Sequence, residues 1–411
     1  MTKYYGREKM FERGYKRTLA ACLAGVANQA VITNVTALLF VSFSGLYGFS
    51  LVRLGLLTAI NFTAQMFADV LLTLLIGRVS SRILALAASA ASCAGLVFYG
   101  AVPLLFSGGA LYGGIAAATA VFAFAGGMLE VVLNGVADRL PPASSVSICL
   151  LHTAYAWAQA ALALVLCGYI ILFEGENWNF AMFALALVPL TAFALLLGAD
   201  TGDGRAKGEA APAPVLFGEK KRGSGRPRHA FYLSALAAIF FGYGAEVSMN
   251  QWMSTLFSET FSVSGEFFGV AAFAVFLGLG GLFYVRLSRR RERFPFYALL
   301  LSALAAFGCF AAAAVCEGIL SFAAAAVCGL FVGMLSPGVM TVSSENLPAD
   351  GGRMLASLAV ASDLGAAALP ALAGALSGAV GLKSSFLILS AAPLLCACFL
   401  SSMRKNAGKP R

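Results

Sequence analysis

Two carboxylates in apolar surroundings are each followed, four residues later, by an asparagine: Glu130 by Asn134 and Glu246 by Asn250. A spacing of four places both side chains of a pair on the same face of a helix. A carboxyl group beside an amide can hydrogen-bond a polar ligand, and it can also take up and release a proton. We therefore predict that Glu130 and Glu246 are proton-coupling residues. A purely structural hydrogen bond between helices is the alternative for both.

Amide, imidazole and indole side chains supply further candidates for contact with a polar ligand. His152 and Gln159 share a helix face with Tyr155, although a hydrogen-bonded interior histidine fits the same pattern equally well. Trp252 can cover an apolar face of a ligand, or it packs against a neighbouring helix. The predicted substrate-binding residues are Gln29, Asn34, Asn134, His152, Gln159, Asn250, Gln251 and Trp252.

Asp69 and Asp363 are two more carboxylates within apolar segments. Asp69 completes a row with Asn61 and Gln65 at spacings of four, and Asp363 lies midway along its segment. A carboxylate at the centre of a membrane-spanning helix costs about 2.5 to 3.5 kcal/mol, so each needs a reason to be there. Neither stands directly beside a mixed aromatic and amide cluster. We predict that both make structural hydrogen bonds between helices, with a transport role as the alternative.

The elements that carry these residues are predicted from composition. Of 411 residues, 60% are hydrophobic and 11% are charged, whereas a water-soluble domain has about 25% charged residues. Long unbroken apolar runs exclude a β-barrel pattern, so the sequence predicts an all-α membrane protein. At about 20 residues per crossing, we predict twelve segments: Thr18–Phe43, Leu54–Ile76, Ile83–Phe106, Leu111–Val136, Ser147–Phe173, Phe180–Leu197, Phe231–Phe257, Phe267–Leu287, Phe294–Val315, Ile319–Val342, Met354–Leu376 and Ser385–Ser401.

The basic residues indicate orientation. If the N-terminus is cytoplasmic, every Lys and Arg except Arg53 and Lys383 falls on the cytoplasmic side, which is the positive-inside pattern. The net charge of +9 is then a topology signal, so no nucleic-acid partner is expected. We predict a multi-pass protein of the plasma (inner) membrane with both termini cytoplasmic. Its parts are an N-terminal stretch (1–17), two six-helix bundles (18–199 and 230–403), a cytoplasmic linker (200–229) and a tail (404–411).

Cysteine and histidine usage argues against metal and redox chemistry. Two histidines exclude a site built on several imidazoles, and the nine cysteines form neither a CxxC pair nor a loop framework. No nucleophile, base and orienting acid stand at usable spacing, so no catalytic residues, metal site or cofactor are predicted, and we do not expect an enzyme. A proton is the expected coupling ion, and a monomer in the lipid bilayer is expected.

The two halves show traces of an internal repeat. Gly25–Phe40 and Gly242–Phe257 align without gaps, so that Gln29 meets Glu246 and both stretches end in Leu-Phe. A Gly-Met-Leu motif in the fourth segment, followed by Leu-Pro, recurs in the tenth. Both matches pair segment n with segment n+6, as two parallel six-helix repeats require, and the interface of such repeats encloses a cavity near the membrane midplane.

Together these features resemble the major facilitator superfamily. GVANQ in segment 1, GGMLEVVLNG in segment 4, GYGAEVSMNQW in segment 7 and MLSPGVMTVSSENLP in segment 10 are similar to its fucose permease-like sugar:proton symporters. The resemblance implies a proton-coupling and sugar-site role for Glu130, because that group carries Glu followed by Asn four residues on. Its members also have an aspartate in the first helix, where this chain has Ile32, so Glu246 is our candidate for the second carboxylate.

The predicted function is secondary active transport of a small polar solute, such as a sugar, by proton-coupled alternating access. A proton-coupled efflux carrier for amphipathic compounds is the alternative within the same class. A non-transporting membrane sensor is the alternative from another class.

Overall fold

The structure is a computed structural model, and it describes residues 2–75, 79–137, 144–173, 177–199, 226–258, 263–288, 294–346 and 351–407. Among these residues, twelve helical stretches are long and apolar enough to cross a membrane. We number them spans 1 to 12 in chain order. Their helices are Thr2–Leu38 with Phe40–Tyr47, Leu51–Leu75, Ser81–Leu105, Gly109–Ala137, Ser144–Leu172, Trp178–Leu185 with Leu187–Leu196, Arg226–Phe257, Val263–Ser288, Phe294–Val315, Gly318–Asn346, Gly351–Val380, and Leu382–Leu389 with Ala391–Asn406.

The twelve predicted segments are confirmed as helices, with their ends shifted by a few residues. Span 1 continues past the predicted Phe43 to Tyr47, where Gly48 ends the helix with a φ of 64°. A left-handed residue at this position is the usual helix stop, and glycine adopts it without steric cost. Most of the predicted linker lies outside the described residues, and span 7 begins at Arg226, inside the stretch predicted to be linker.

Spans 6 and 12 are interrupted in the same way. Their first helices end at Leu185 and Leu389, and prolines follow at positions 189 and 393. Proline has no N–H to bond the carbonyl four residues earlier, which is the carbonyl of Leu185 or Leu389. The shared interruption relates span n to span n+6, as the predicted repeat requires.

The two halves, spans 1–6 and spans 7–12, meet along two seams. Span 2 packs against span 11, and span 5 packs against span 8. The number of spans is even, so span 1 begins and span 12 ends at the same side of the membrane, which we call the terminal face; the other side is the opposite face. Large apolar side chains such as Leu172 and Leu301 are 77% and 70% exposed on the outer surface, where they suit contact with lipid.

Small residues bring spans 2 and 11 together near the opposite face. A Cβ atom placed on Gly374 would lie 2.6 Å from the carbonyl oxygen of Leu51 and 3.2 Å from the Cα atom of Gly55. Helices in membranes pack closely where such residues remove the side-chain bulk. This contact fixes the distance between the halves on the opposite-face side of the polar residues described next.

Candidate functional site

Four amide side chains meet where the two halves of the protein face each other. Asn34 of span 1 accepts hydrogen bonds from Nδ2 of Asn250 at 2.8 Å and from Nε2 of Gln251 at 3.3 Å, both in span 7. Gln159 of span 5 donates a hydrogen bond to Oδ1 of Asn250. We call Asn34, Gln159, Asn250 and Gln251 the amide cluster. It joins predicted binding residues of both halves.

The cluster is tied into its surroundings but not fully satisfied. Asn34 Nδ2 donates to the hydroxyl of Tyr155 at 2.9 Å, and Thr58 of span 2 donates to Oε1 of Gln251 at 3.4 Å. Gln159 is fully buried, and its Oε1 atom has no hydrogen-bond partner in the structure. A buried acceptor without a partner is costly and uncommon. It is therefore available to a donor group of a ligand or a water molecule.

Glu130 lies next to this cluster on the terminal-face side. Its Oε2 atom accepts a hydrogen bond of 2.7 Å from Nε2 of Gln29, across 101 residues of sequence. Span 4 thereby places the predicted proton-coupling carboxylate against a predicted binding residue of span 1. Asn134 is partly exposed one helical turn further on, and it joins none of these hydrogen bonds.

Glu246 lies in span 7, at the position that the repeat aligns with Gln29 of span 1. Its side chain is only 4% exposed, and its Oε2 atom is buried without a hydrogen-bond partner. Both Glu130 and Glu246 are near enough to act electrostatically on the hydroxyls of Tyr155 and Tyr243. The two carboxyl groups therefore border one region, reached from opposite halves of the protein.

His152 has no polar partner for its Nε2 atom, which is buried. Its ring lies parallel to that of Tyr155, with an interplanar angle of 17° and centroids 6.3 Å apart. The alternative prediction was a hydrogen-bonded interior histidine, and the structure shows no such hydrogen bond at Nε2.

Trp252 points away from the amide cluster. Its indole is fully buried, donates a 3.0 Å hydrogen bond to the carbonyl oxygen of Pro370 in span 11, and packs on Phe40 with ring centroids 5.3 Å apart. This is the packing arrangement that we considered as the alternative to ligand contact. Its position one residue beyond Gln251 explains the difference, because adjacent residues of a helix point in directions about 100° apart.

Asp69 and Asp363 hydrogen-bond to each other through their carboxyl groups, from span 2 to span 11. The predicted row of Asn61, Gln65 and Asp69 on span 2 therefore does not bond to a single partner region. Gln65 donates to Oδ1 of Asn61 at 2.5 Å, and Asn61 donates to the carbonyl oxygen of Ile32 at 3.2 Å, so these two stay within the first half. Asp69, one turn nearer the terminal face, reaches the second half instead.

The arrangement offers amide donors and acceptors, tyrosine hydroxyls and two carboxyl groups, of which Glu246 has a buried oxygen without a partner. Such groups can hydrogen-bond hydroxyls and amines and can hold a proton. Within the described residues, no group of three His, Cys, Asp or Glu side chains could hold a metal ion. The sequence interpretation did not commit to Tyr155, Thr58 or Tyr243. Tyr155 was detectable by its spacing from His152 and Gln159, whereas Thr58 carried no local signal.

Solved structures with the same fold include several transporters. The fucose:proton symporter FucP of E. coli matches with a TM-score of 0.61 and 17% identity over 96% of this chain and 100% of that one. A bacterial homologue of the human lysosomal transporter Spinster gives 0.66 and 15% over 96% and 97%. The xylose transporter XylE of E. coli, in a partially occluded inward-open conformation, gives 0.75 and 12% over 95% and 97%.

Among curated proteins, no sequence matches this chain. The family model of the Major Facilitator Superfamily, in contrast, matches residues 18–352. That range covers most of the chain, including most of span 1, spans 2 to 10 and the whole amide cluster. The chain therefore belongs to the major facilitator superfamily of membrane transporters.

Proposed function

We propose that the protein is a secondary active transporter that carries a small polar solute, such as a sugar, together with protons. The observation that carries this proposal is the amide cluster. Its hydrogen bonds cross between the halves, so that separating spans 1 and 7 breaks them and frees their donors and acceptors for a ligand. A solute that replaces these bonds binds to both halves at once and favours the closed state of the site.

The chemistry of the site favours a polar ligand over an amphipathic one. Amide groups and tyrosine hydroxyls supply both donors and acceptors, as polyhydroxy compounds require. The free Oε1 atom of Gln159 and Oε2 atom of Glu246 add acceptors for hydroxyl or amine donors. Two of the proteins with this fold are a fucose:proton symporter and a xylose transporter, which supports sugars as the first class to test.

Proton coupling is assigned to Glu130 and Glu246. Glu130 is bonded to Gln29 of span 1, and span 1 also carries Asn34 of the amide cluster. If span 1 moves when the solute binds, the hydrogen bond from Gln29 to the Glu130 carboxylate therefore changes. Such a change alters how strongly the carboxyl group holds a proton. Solute and proton are in this way linked through one helix.

The orientation follows from the positive-inside pattern. With the terminal face in the cytoplasm, both ends of the chain and residues 200–225 lie inside, and Arg53 and Lys383 lie outside. We assign the protein to the plasma (inner) membrane on this basis. Three carboxyl groups then lie on the cytoplasmic side of the amide cluster, namely those of Glu130, Asp69 and Asp363.

Uptake by the purified protein in proteoliposomes tests this function. Under an imposed inward proton gradient, a panel of sugars, sugar acids, amino acids and amphipathic drugs is offered in radiolabelled form. We expect accumulation of at least one polar compound, abolished by a protonophore. Accumulation of amphipathic compounds alone, or gradient-driven movement in the direction opposite to the proton, would replace the proposal with the efflux alternative.

A further inference from the structure

Asp69 and Asp363 make a direct polar contact between the two halves on the terminal-face side of the amide cluster. Asp69 belongs to span 2 and Asp363 to span 11, and their carboxyl groups share a hydrogen bond. The side chains are 6% and 7% exposed. The contact is therefore shielded from water in this conformation, and it bridges the elements that must separate if the site is to open to the terminal face.

This hydrogen bond requires a proton. An ionised carboxylate can only accept hydrogen bonds, and a donor is present only if one of the two groups is protonated. The pair therefore consists of one carboxylic acid, whose O–H donates, and one carboxylate, which accepts. Removing the proton leaves two negative charges side by side, and like charges in such a pair repel.

Among the described residues, no basic group neutralises a second charge on the pair. Oδ1 of Asp69 and Oδ2 of Asp363 are buried and have no hydrogen-bond partner. The titratable groups that face the pair are Glu130 from span 4, which acts on both carboxyls, and Tyr243 from span 7, which interacts with Asp363. Arg53, the basic residue of span 2, lies at the other end of that span. The described groups that act on an ionised pair are thus acidic or neutral.

We propose that Asp69 and Asp363 form a proton-dependent latch: one shared proton holds spans 2 and 11 together at the terminal face, and its loss separates them there. The inference rests on the alternating access of the proposed function, although it concerns a different step from solute binding. On opening, the acid O–H bond breaks, the proton passes to water entering from the terminal face, and both groups remain as carboxylates. Rebinding of one proton restores the hydrogen bond.

The other end of the same two spans has no such dependence. Near the opposite face, spans 2 and 11 touch through the backbone of Gly55 and Gly374, where no group can titrate. Between the two ends, Phe62 of span 2 packs on Val247 and Ala366 of the second half. Ionisation of the latch therefore acts at one end of a seam that is otherwise held by apolar and backbone contacts. It favours opening to the terminal face in particular.

The test measures the separation of the halves directly and needs no solute. Nitroxide labels are placed on cysteines substituted for Ile83 of span 3 and Leu301 of span 9, in a protein without its native cysteines. Both positions are exposed on the outer surface, at 59% and 70%, and belong to different halves. Distances are measured by electron–electron double resonance from about pH 4 to about pH 10, the range in which buried carboxyl groups ionise. We expect the distance to lengthen as the pH rises.

Asparagine at either position should remove this response. In Asp363→Asn, the amide N–H donates to the Asp69 carboxylate without any added proton, so the short distance should persist over the whole pH range. Asp69→Asn should behave in the same way, with the roles of the two residues exchanged. Glu345→Gln, which removes an exposed carboxylate of span 10, is the matched control and should keep the wild-type response.

Two results overturn the latch: a wild-type distance that does not change with pH, or a pH response that survives in both asparagine variants. Each sample is accepted only if it is monodisperse, and the two single variants provide independent tests if one of them misfolds. Solute uptake can persist in a protein without a latch, and a latch can operate in a protein that does not transport the panel compounds. A negative result for the latch therefore leaves the proposed transport function standing, and a negative uptake result leaves the latch standing.

Discussion

The amide cluster places four amide side chains together in the interior of helices that are mostly apolar. Asn34 is 2% exposed and bonds to Asn250 and Gln251 of the other half as well as to Tyr155. Amide pairs in a membrane interior satisfy one another and so lower the cost of burial. The same groups are the ones a solute must recruit, so ligand binding exchanges amide–amide bonds for amide–ligand bonds.

Removing one amide should weaken binding without unfolding the protein. Gln251→Ala or Asn250→Ala deletes a buried hydrogen-bonding partner, and the loss of such a partner costs about 1 to 3 kcal/mol. We expect affinity for the transported solute to fall roughly 5- to 150-fold, since 1.4 kcal/mol is about tenfold. Titration calorimetry on monodisperse variants measures this change.

Asn346→Ala is the control for these variants. The Asn346 amide donates to the carbonyl oxygen of Val342 on its own helix, at the end of span 10. Its removal should leave affinity within error of wild type. Wild-type affinity in both Gln251→Ala and Asn250→Ala would place the binding site elsewhere.

Trp252 should behave as a packing residue. Trp252→Phe keeps an aromatic ring against Phe40 but loses the 3.0 Å hydrogen bond to Pro370, leaving that carbonyl oxygen without this donor. We expect a lower thermal midpoint with unchanged solute affinity. Trp157→Phe, at a position 47% exposed, should shift the midpoint less. A Trp252→Phe variant with normal stability and weakened binding would restore the ligand-contact interpretation.

At the scale of elements, the seam between spans 2 and 11 combines different kinds of contact along its length. Near the opposite face, the backbones touch through Gly55 and Gly374, and toward the terminal face the carboxyl groups of Asp69 and Asp363 meet. Neither contact involves large interdigitating side chains. A seam of this kind can open at one end while it stays closed at the other.

Gly374→Val should force the opposite-face end apart. The added side chain would meet the Leu51 carbonyl oxygen at 2.6 Å and the Trp252 ring at 3.0 Å, and overpacking of this kind costs about 1 to 3 kcal/mol in the closed state. A cysteine substituted for the buried Ser254 should then react faster with an impermeant thiol reagent applied from the opposite face.

Gly378→Val, one turn along the same helix, provides the comparison. A Cβ atom there lies 4.0 Å from its nearest neighbour, Val52, so we expect little change in labelling. Equal labelling rates in the two valine variants would show that the Gly55–Gly374 contact does not control access.

At the scale of the whole molecule, the orientation is open to a simple test. Single cysteines at Ser224 and Glu176, in a cysteine-free protein, occupy connections predicted to lie on different sides of the membrane. In intact cells, an impermeant reagent should label the cysteine at position 176 and leave that at position 224 unmodified until the cells are lysed. The reverse pattern would invert the topology.

Hydropathy was sufficient to predict the twelve spans, because each needs a long apolar run whatever its neighbours are. Spacing within a helix also placed Glu246 and Asn250 correctly on one span. The contacts across the molecule were not accessible in this way. The Gln29–Glu130 and Asp69–Asp363 pairs depend on how each helix is rotated and which helix lies beside it, and a single span carries no record of either.

The central claim, proton-coupled transport through Glu130, is tested most directly by solute-driven proton movement. Proteoliposomes containing a pH-sensitive dye receive an inward gradient of a transported solute with no initial pH gradient. We expect the lumen to acidify with the wild-type protein and with Glu345→Gln, whereas Glu130→Gln should exchange solute without moving protons. Solute entry without acidification in the wild-type protein, or unchanged acidification in Glu130→Gln, would contradict the account.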